Sequence, residues 1–272
     1  MTDKSCLFER LRCPICGEAI EVTRPSAICR GARRHCFDFS KSGYLNLTAG
    51  HGGKGDLKEA TDARNRFLGK SYYRLLSDRV VELAKELSPK MILDAGCGEG
   101  YYTGRLSRIA PAFGADLSKS GIDLAAKNAK REDLPALYAV ASLFALPVAD
   151  SSFDLVVNLF APCAENEFCR VLTNSGHLLV VGAGKEHLMG LKKALYDNPR
   201  ENPGREDLPT SMVLVKKETL TDTIRVAKED IEDLFAMTPY YFRTSEKDHK
   251  KLSDLEYLDT EIAFDLFLYR KN

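Results

Sequence analysis

Between Glu59 and Leu87 the apolar residues Phe67, Leu68, Leu75, Leu76, Val80, Leu83, Ala84 and Leu87 recur at spacings of three, four and seven, which predicts helix up to a stop at Pro89. The period then changes. Short apolar runs at Met91 to Asp94, Ala112 to Asp116, Leu137 to Val140, Phe153 to Phe160 and Leu178 to Val181 read as strands. Between them lie helical segments from about Tyr101 to Ile109, from a Ser118 cap to about Lys130, and from Glu165 to Leu172. The turn residues Asn174, Ser175 and Gly176 precede the fifth strand. Regular alternation of this kind predicts an α/β fold, a mostly parallel sheet wrapped by helices. Beyond Lys185 the pattern weakens. Residues 198–210 hold three Pro and one Gly and read as a surface loop, whereas Ile262, Phe264, Leu266 and Leu268 alternate as a last strand.

No helical period runs through residues 13–36, which carry four of the eight Cys together with Pro14, Gly17, Pro25 and Gly31. So short a segment needs a staple to fold. The polar, Gly-rich run from Thr48 to Asp56 reads as a linker, dividing the chain into a module over residues 1–50 and a larger domain over residues 51–272. Composition narrows the chemistry. The 272 residues are 44% apolar with 39 basic and 39 acidic groups, which excludes a disordered chain and long-range steering by the whole molecule. There is no long apolar run and no apolar stretch behind the charged N-terminus, so a cytoplasmic protein with no membrane partner is expected. Thiols in that compartment are reduced, and clustered Cys are read first as metal ligands. Cys13 and Cys16 form a C-x2-C knuckle, twelve residues intervene before Cys29, and five more before His35. Two such halves supply a closed tetrahedral zinc site of structural type, with Cys36 competing with His35 for the fourth position. Arg30, Arg33, Arg34 and Lys41 surround these residues, and Asp38 is the single acid in residues 28–54, a local excess suited to phosphate.

The strand ending at Asp94 runs into Ala95-Gly96-Cys97-Gly98-Glu99-Gly100, a G-x-G-x-G turn that lets the backbone approach a ligand closely. Its spacing is not that of the dinucleotide folds. Asp94 and Glu99 disfavour an anion, and Asp116 at the next strand end suits a ribose diol. An adenosine carrying a sulfonium meets both conditions. LDAGCGEG, GADLS, LPVADSSFDLVVNLF and RVLTNSGHLLVV together resemble the class I S-adenosylmethionine-dependent methyltransferases, whose fold is Rossmann-like, over residues 90–182.

A closer resemblance covers nearly the whole chain. The Cys13 to His35 cluster, Phe37-Asp38, Lys41 to Leu47, Ala63-Arg64, Phe67-Leu68 before Tyr73, Gly96 to Thr103, Ala161-Pro162-Cys163, His187-Leu188-Met189 and Met237-Thr238-Pro239 resemble the bacterial 23S rRNA (guanine-N1)-methyltransferases. That resemblance implies an RNA-recognising zinc module joined to a methyltransferase domain, acting on a hairpin loop in the helix 35 region of 23S rRNA. It implies Cys13, Cys16, Cys29 and His35 as zinc ligands. It maps cofactor contacts onto Tyr73, Gly98, Glu99, Gly100 and His187, to which the turn adds Gly96 and the wider fold Asp116. Two departures stand out: the Cys29 to His35 spacing is longer than the family pattern, and Asn158 lies where some relatives carry a basic residue.

Methyl transfer to guanine N1 is an in-line displacement that requires an unstacked base, removal of the N1 proton and exclusion of water. Asn158, Phe160, Ala161 and Pro162 follow the fourth strand, where such folds contact substrate, and Asn158 and Pro162 are the substrate-side candidates. No general base is assigned. Cys97, Cys163 and Cys169 read as core thiols. A homodimer is compatible with the limited RNA surface of one module. The competing readings are a small-molecule methyltransferase and a non-catalytic zinc and RNA-binding assembly factor.

Overall fold

A computed structural model describes residues 4–48 and 55–272. The N-terminal part opens with a short helix, α1 (Ser5–Phe8), followed by β1 (Ile20–Thr23), β2 (Ser26–Cys29) and β3 (Cys36–Asp38), which form an antiparallel three-stranded sheet. A fourth short strand, β4 (Leu45–Asn46), leaves this unit and pairs in parallel with β7 (Ala136–Val140) at the edge of a second sheet.

The second sheet contains β5 (Ile92–Ala95), β6 (Ala112–Asp116), β8 (Phe153–Leu159), β9 (Leu172–Ala183), β10 (Val213–Ala227) and β11 (Tyr257–Arg270) as well. Its eight strands run in the order β10-β11-β9-β8-β5-β6-β7-β4, and β11, antiparallel to both neighbours, is the reversed strand. Strand order turns at β5, which has β6 on one side and β8 on the other. The crevice at the carboxyl ends of β5, β6 and β8 is therefore the topological switch point, where open α/β sheets bind ligands.

Alternate residues of the central strands serve opposite faces. Ile92, Leu155, Val157, Leu179 and Val181 pack against Phe67, Leu76, Val80 and Leu83 of α2 (Lys58–Gly69) and α3 (Arg74–Leu87). Leu93, Phe113, Val156, Leu178 and Val180 share the other core with Leu7, Leu11, Ile20, Ala27, Leu45 and Leu47. The zinc-ligand candidates Cys13 and Cys29 lie in that same cluster. Two hydrogen bonds reinforce the union: Arg12 N donates to Pro147 O at 2.8 Å, and the Lys4 ammonium donates to Ala136 O at 2.7 Å. The N-terminal part is thus packed into the larger domain, and most of the Thr48 to Asp56 linker, with the division expected at residue 50, lies outside the described residues.

The helix expected over Glu59 to Leu87 is two helices. Gly69 ends α2, Ser71 takes a left-handed φ of 67°, and the break turns Tyr72 and Tyr73 inward, where Tyr72 donates to Asp230 at 2.8 Å. Ser118 caps α5 (Lys119–Arg131) as expected, its Oγ accepting from Gly121 N. The Asn174 to Gly176 turn lies inside β9: Phe153 pairs with Leu172 but Leu155 with His177, so residues 173–176 loop out of the ladder. The remaining helices are α4 (Tyr101–Leu106), α6 (Glu165–Val171), α7 (Met189–Leu195), α8 (Lys228–Ala236) and α9 (Glu246–Lys250).

Candidate functional site

Two antiparallel hairpins bring together the four ligand atoms of Cys13, Cys16, Cys29 and His35, all within 4.8 Å of one another. Cys16 and Cys29 sulfurs are 3.3 Å apart, and His35 Nδ1 lies 3.4 Å from Cys13 Sγ and 3.6 Å from Cys16 Sγ. Gly31 N donates to Cys29 Sγ at 3.2 Å, the outer hydrogen bond that stabilises a thiolate. This Cys3His set fits tetrahedral zinc. Cys36 is excluded by strand geometry: it starts β3 with its side chain exposed and directed to Asp38, 3.8 Å away. Arg30, Arg33, Arg34 and Lys41 are all exposed around the cluster.

At the switch point, Gly96 has φ 90° and Gly100 has φ 79°, and a Cβ on either would lie 2.3 Å from Ala161 Cβ or 2.6 Å from Ala125 Cβ. Only glycine fits both positions. Gly98 N donates to Asp116 Oδ2 at 3.0 Å and Ser118 N to Asp116 Oδ1 at 2.7 Å, tying the turn to the end of β6. Each Asp116 oxygen retains a free lone pair for a ribose hydroxyl.

Acids outnumber cations in this crevice, where Arg64 lies 3.5 Å from Glu99. Asp94, 1% exposed, accepts from Thr103 Oγ1 at 2.5 Å; burial, reinforced by Asp116 and Glu99, pushes its carboxyl up to about 7. Burial also raises Glu99, against the pull of Arg64, and Asp116, against the hydrogen bonds from Ser118 and Gly98. Three desolvated carboxyls around one turn favour a cation. Among the described residues the Tyr102 hydroxyl, in the field of Tyr73, Glu99 and Asp94, is a buried polar atom left without a partner. A glycine cradle, buried acids and an orphaned hydroxyl fit the amino-acid and ribose parts of S-adenosylmethionine.

Tyr73 and His187 meet from opposite elements. Tyr73 Oη lies 3.2 Å from His187 Nε2, and Ala263 N donates to His187 Nδ1 at 3.2 Å. Because Nδ1 accepts, the proton of the neutral ring sits on Nε2 and points at Tyr73, which leaves the Tyr73 hydroxyl hydrogen free for a ligand. Burial, with Lys192 adding, pushes His187 down to about 3, so the ring is neutral and both its nitrogens are engaged. It is not placed to act as a base.

Phe160 follows β8 with a left-handed φ of 55°, is 47% exposed, and lies over His187 with nearly parallel rings, centroids 6.4 Å apart. An aromatic that is exposed and held in left-handed backbone at a strand end presents its ring face at the mouth of the crevice. Pro162 is exposed beside it. Asn158, the other expected substrate contact, is 0% exposed. Its amide nitrogen donates to Ala95 O at 3.0 Å and Pro162 O at 3.2 Å, and its oxygen accepts from Arg205 at 2.8 Å, so it supports the mouth from beneath. Arg205 itself escaped the sequence reading because it lies in the Pro-rich loop expected at the surface. Its guanidinium also donates to Val181 O at 2.8 Å and Ala161 O at 2.6 Å and pairs with Asp207, which accepts from Cys163 N. An Arg flanked by acids and prolines gave no periodic signal for burial.

A family model described as "Methyltransferase domain" matches residues 92–181, and one described as "RlmA, N-terminal", a zinc ribbon, matches residues 11–49. A Bacillus subtilis protein named "Putative 23S rRNA (guanine-N(1)-)-methyltransferase YxjB" is 34% identical over 207 residues, 71% of each chain. The Streptomyces fradiae "23S rRNA (guanine(748)-N(1))-methyltransferase" is 29% identical over 242 residues, 84% of each chain. Among solved structures, the [4+2]-cyclase SpnF matches with a TM-score of 0.52 at 16% identity, over 79% of this chain and 93% of its own, a likeness of fold. From the relatives' identity and coverage, the chain belongs to the 23S rRNA (guanine-N1)-methyltransferase family.

Proposed function

We propose that the protein transfers a methyl group from S-adenosylmethionine to N1 of a guanine in a 23S rRNA hairpin loop. The observation that carries this reading is the joining, in one packed core, of a Cys3His cluster with exposed arginines to a sheet whose switch point is built for a cationic nucleoside. Residues 1–50 form the RNA-recognition module, with zinc held by Cys13, Cys16, Cys29 and His35 as a structural ion. Residues 51–272 form the catalytic domain.

When bound, S-adenosylmethionine supplies a methyl group activated by the sulfonium. The chain's own residues do the rest. Gly96, Gly98 and Gly100 allow close backbone approach, Asp116 accepts from the ribose, and Asp94 and Glu99 balance positive charge. Tyr73, oriented by His187, contributes its hydroxyl. On the acceptor side Phe160 offers a stacking face for an unstacked guanine, and Pro162 borders it. Asn158 and Arg205 hold residues 160–163 in place and thereby set the approach of N1 to the methyl group. The exposed arginines of the module meet the RNA backbone, so binding is salt-dependent.

Its location is the cytoplasm, with the ribosomal RNA; no helix of the described residues is long and apolar enough to cross a membrane. A homodimer would double the RNA-binding surface, and light scattering of the purified protein tests it by mass. For the activity, unmethylated 23S rRNA is incubated with the protein and S-adenosylmethionine, digested, and its nucleosides quantified. Appearance of 1-methylguanosine is expected; its absence, with cofactor binding verified, overturns the proposal.

A further inference from the structure

β10 ends at Ala227, paired directly with Tyr257 at the start of β11. Because β11 is the reversed strand, the whole connection over residues 228–256 begins and ends at the carboxyl edge of the sheet, the edge that carries the crevice. Its middle is an aromatic turn. Tyr241 is anchored edge-on to the buried Phe235, ring centroids 5.5 Å apart, and Phe242, 61% exposed, stands nearly perpendicular to Tyr241 at 5.2 Å. The turn is fixed from within: Thr238 Oγ1 donates to Phe235 O at 2.8 Å, and Arg243 N and Thr244 N donate to Tyr240 O at 2.9 and 3.0 Å. It is also tied to the site, since Tyr240 Oη donates to Asn202 Oδ1 at 2.9 Å and Asn202 Nδ2 donates to His187 O at 2.8 Å. Phe242 is therefore held outward on ordered backbone.

Cations follow that ring in the chain. Arg243, Lys247 and Lys250 are exposed and make no ion pair among the described residues. Of the two acids within residues 240–251, Asp248 is engaged by Lys251 at 2.9 Å, which leaves Glu246 against three cations. An exposed aromatic face beside cations without acid partners is the make-up of a surface for single-stranded nucleic acid, where bases stack and phosphates are neutralised. We infer that residues 240–250 form a second RNA-contact surface, in which Phe242 stacks a loop base other than the target guanine and Arg243, Lys247 and Lys250 meet phosphates. The inference rests on the proposed RNA substrate. Sheet order gives the surface its place: the Cys3His module joins the eight strands through β4 at one end, and the aromatic turn hangs from β10 and β11 at the other, with the switch point between them. An RNA loop held at both ends of the sheet spans the crevice mouth at Phe160.

The test measures binding of a 23S rRNA fragment carrying the helix 35 hairpin by fluorescence anisotropy, over a series of potassium chloride concentrations. S-adenosylmethionine affinity is measured on the same preparations by calorimetry. Phe242→Ala should weaken RNA binding by about fivefold to a hundredfold, the worth of one stacked base. Arg243→Gln, Lys247→Gln and Lys250→Gln together should lower the slope of log affinity against log salt by about two to three, one phosphate per cation. Cofactor affinity should stay constant in both variants, and methyl transfer should fall through a higher KM for RNA with kcat kept. Unchanged RNA affinity in Phe242→Ala, or an unchanged slope in the triple variant, would overturn the inference. So would a loss of cofactor affinity equal to the loss for RNA, which would assign the turn to the fold. A native oligomer that Phe242→Ala converts to monomers would also overturn it, assigning the surface to a second copy of the chain. A native protein that binds the cofactor but not the hairpin would instead overturn the proposed RNA substrate itself.

Discussion

Asp94 makes the ligand-free protein pay a stability cost for its site, and the cost can be measured. Its carboxyl is raised from an ordinary 3.8 to about 7 because it is buried beside Asp116 and Glu99. An acid whose folded pKa exceeds its unfolded one binds more protons folded than unfolded in the interval between them. Stability is therefore full below the unfolded value and declines as pH rises through the folded one. At ~1.4 kcal/mol per unit the shift from 3.8 to about 7 amounts to ~4 kcal/mol, of which roughly 3 kcal/mol falls between about pH 5 and 8. Asp94→Asn removes the titration while keeping an oxygen for Thr103. Urea unfolding of the ligand-free protein should show the variant gaining on the native chain by that amount from pH 5 to pH 8. The same variant should bind S-adenosylmethionine more weakly at pH 8, since a negative charge facing a cation has been lost. A stability difference that stays constant across pH, or unchanged cofactor affinity at pH 8, would refute the reasoning.

Three further outcomes follow from the geometry. Elemental analysis should find one zinc per native chain and none in Cys13→Ser with Cys16→Ser, which should also lower the melting temperature of the whole protein because Cys13 shares a core with Leu93, Phe113 and Leu178; retained zinc would refute the ligand set. Phe160→Ala should lower methyl transfer to RNA by about tenfold to a hundredfold, the worth of one stacked base, while cofactor affinity stays constant; normal kcat/KM on RNA would remove Phe160 from the acceptor site. Arg205→Ala strips donors from Asn158 Oδ1, Val181 O and Ala161 O, which should cost about 2 to 4 kcal/mol in denaturant unfolding, since a buried acceptor left unsatisfied costs about 1 to 3 kcal/mol. A loss below about 1 kcal/mol would mean the loop stands without it.

The central strands, the glycine turn and the zinc knuckles were legible because each is enforced locally: by burial on both faces of a parallel sheet, by positive φ, or by ligand spacing. The break between α2 and α3 was not, since its cause is the burial of Tyr72 and Tyr73 against distant residues, Asp230 and His187 among them. Nor was β10, an edge strand whose exposed Lys217 and Arg225, together with a Glu218 paired to Arg79 of α3, erase the apolar alternation. The Thr219, Thr221 and Thr223 series was the β-favouring signal available there. Asn158 shows the opposite failure. Its place at a strand end was read correctly, but its role depends on Arg205, 47 residues later, whose inward turn no local pattern encodes. His35 over Cys36 likewise needed the strand, which sends adjacent side chains to opposite sides.

The central claim is tested most directly by incubating the protein and S-adenosylmethionine carrying a labelled methyl group with unmodified 23S rRNA, then copying the RNA by reverse transcription. A methyl group on guanine N1 blocks Watson-Crick pairing. The account predicts label in the RNA together with one new stop at a guanine of the helix 35 hairpin loop. Label without a stop, or no label from a protein shown to bind the cofactor, would contradict it.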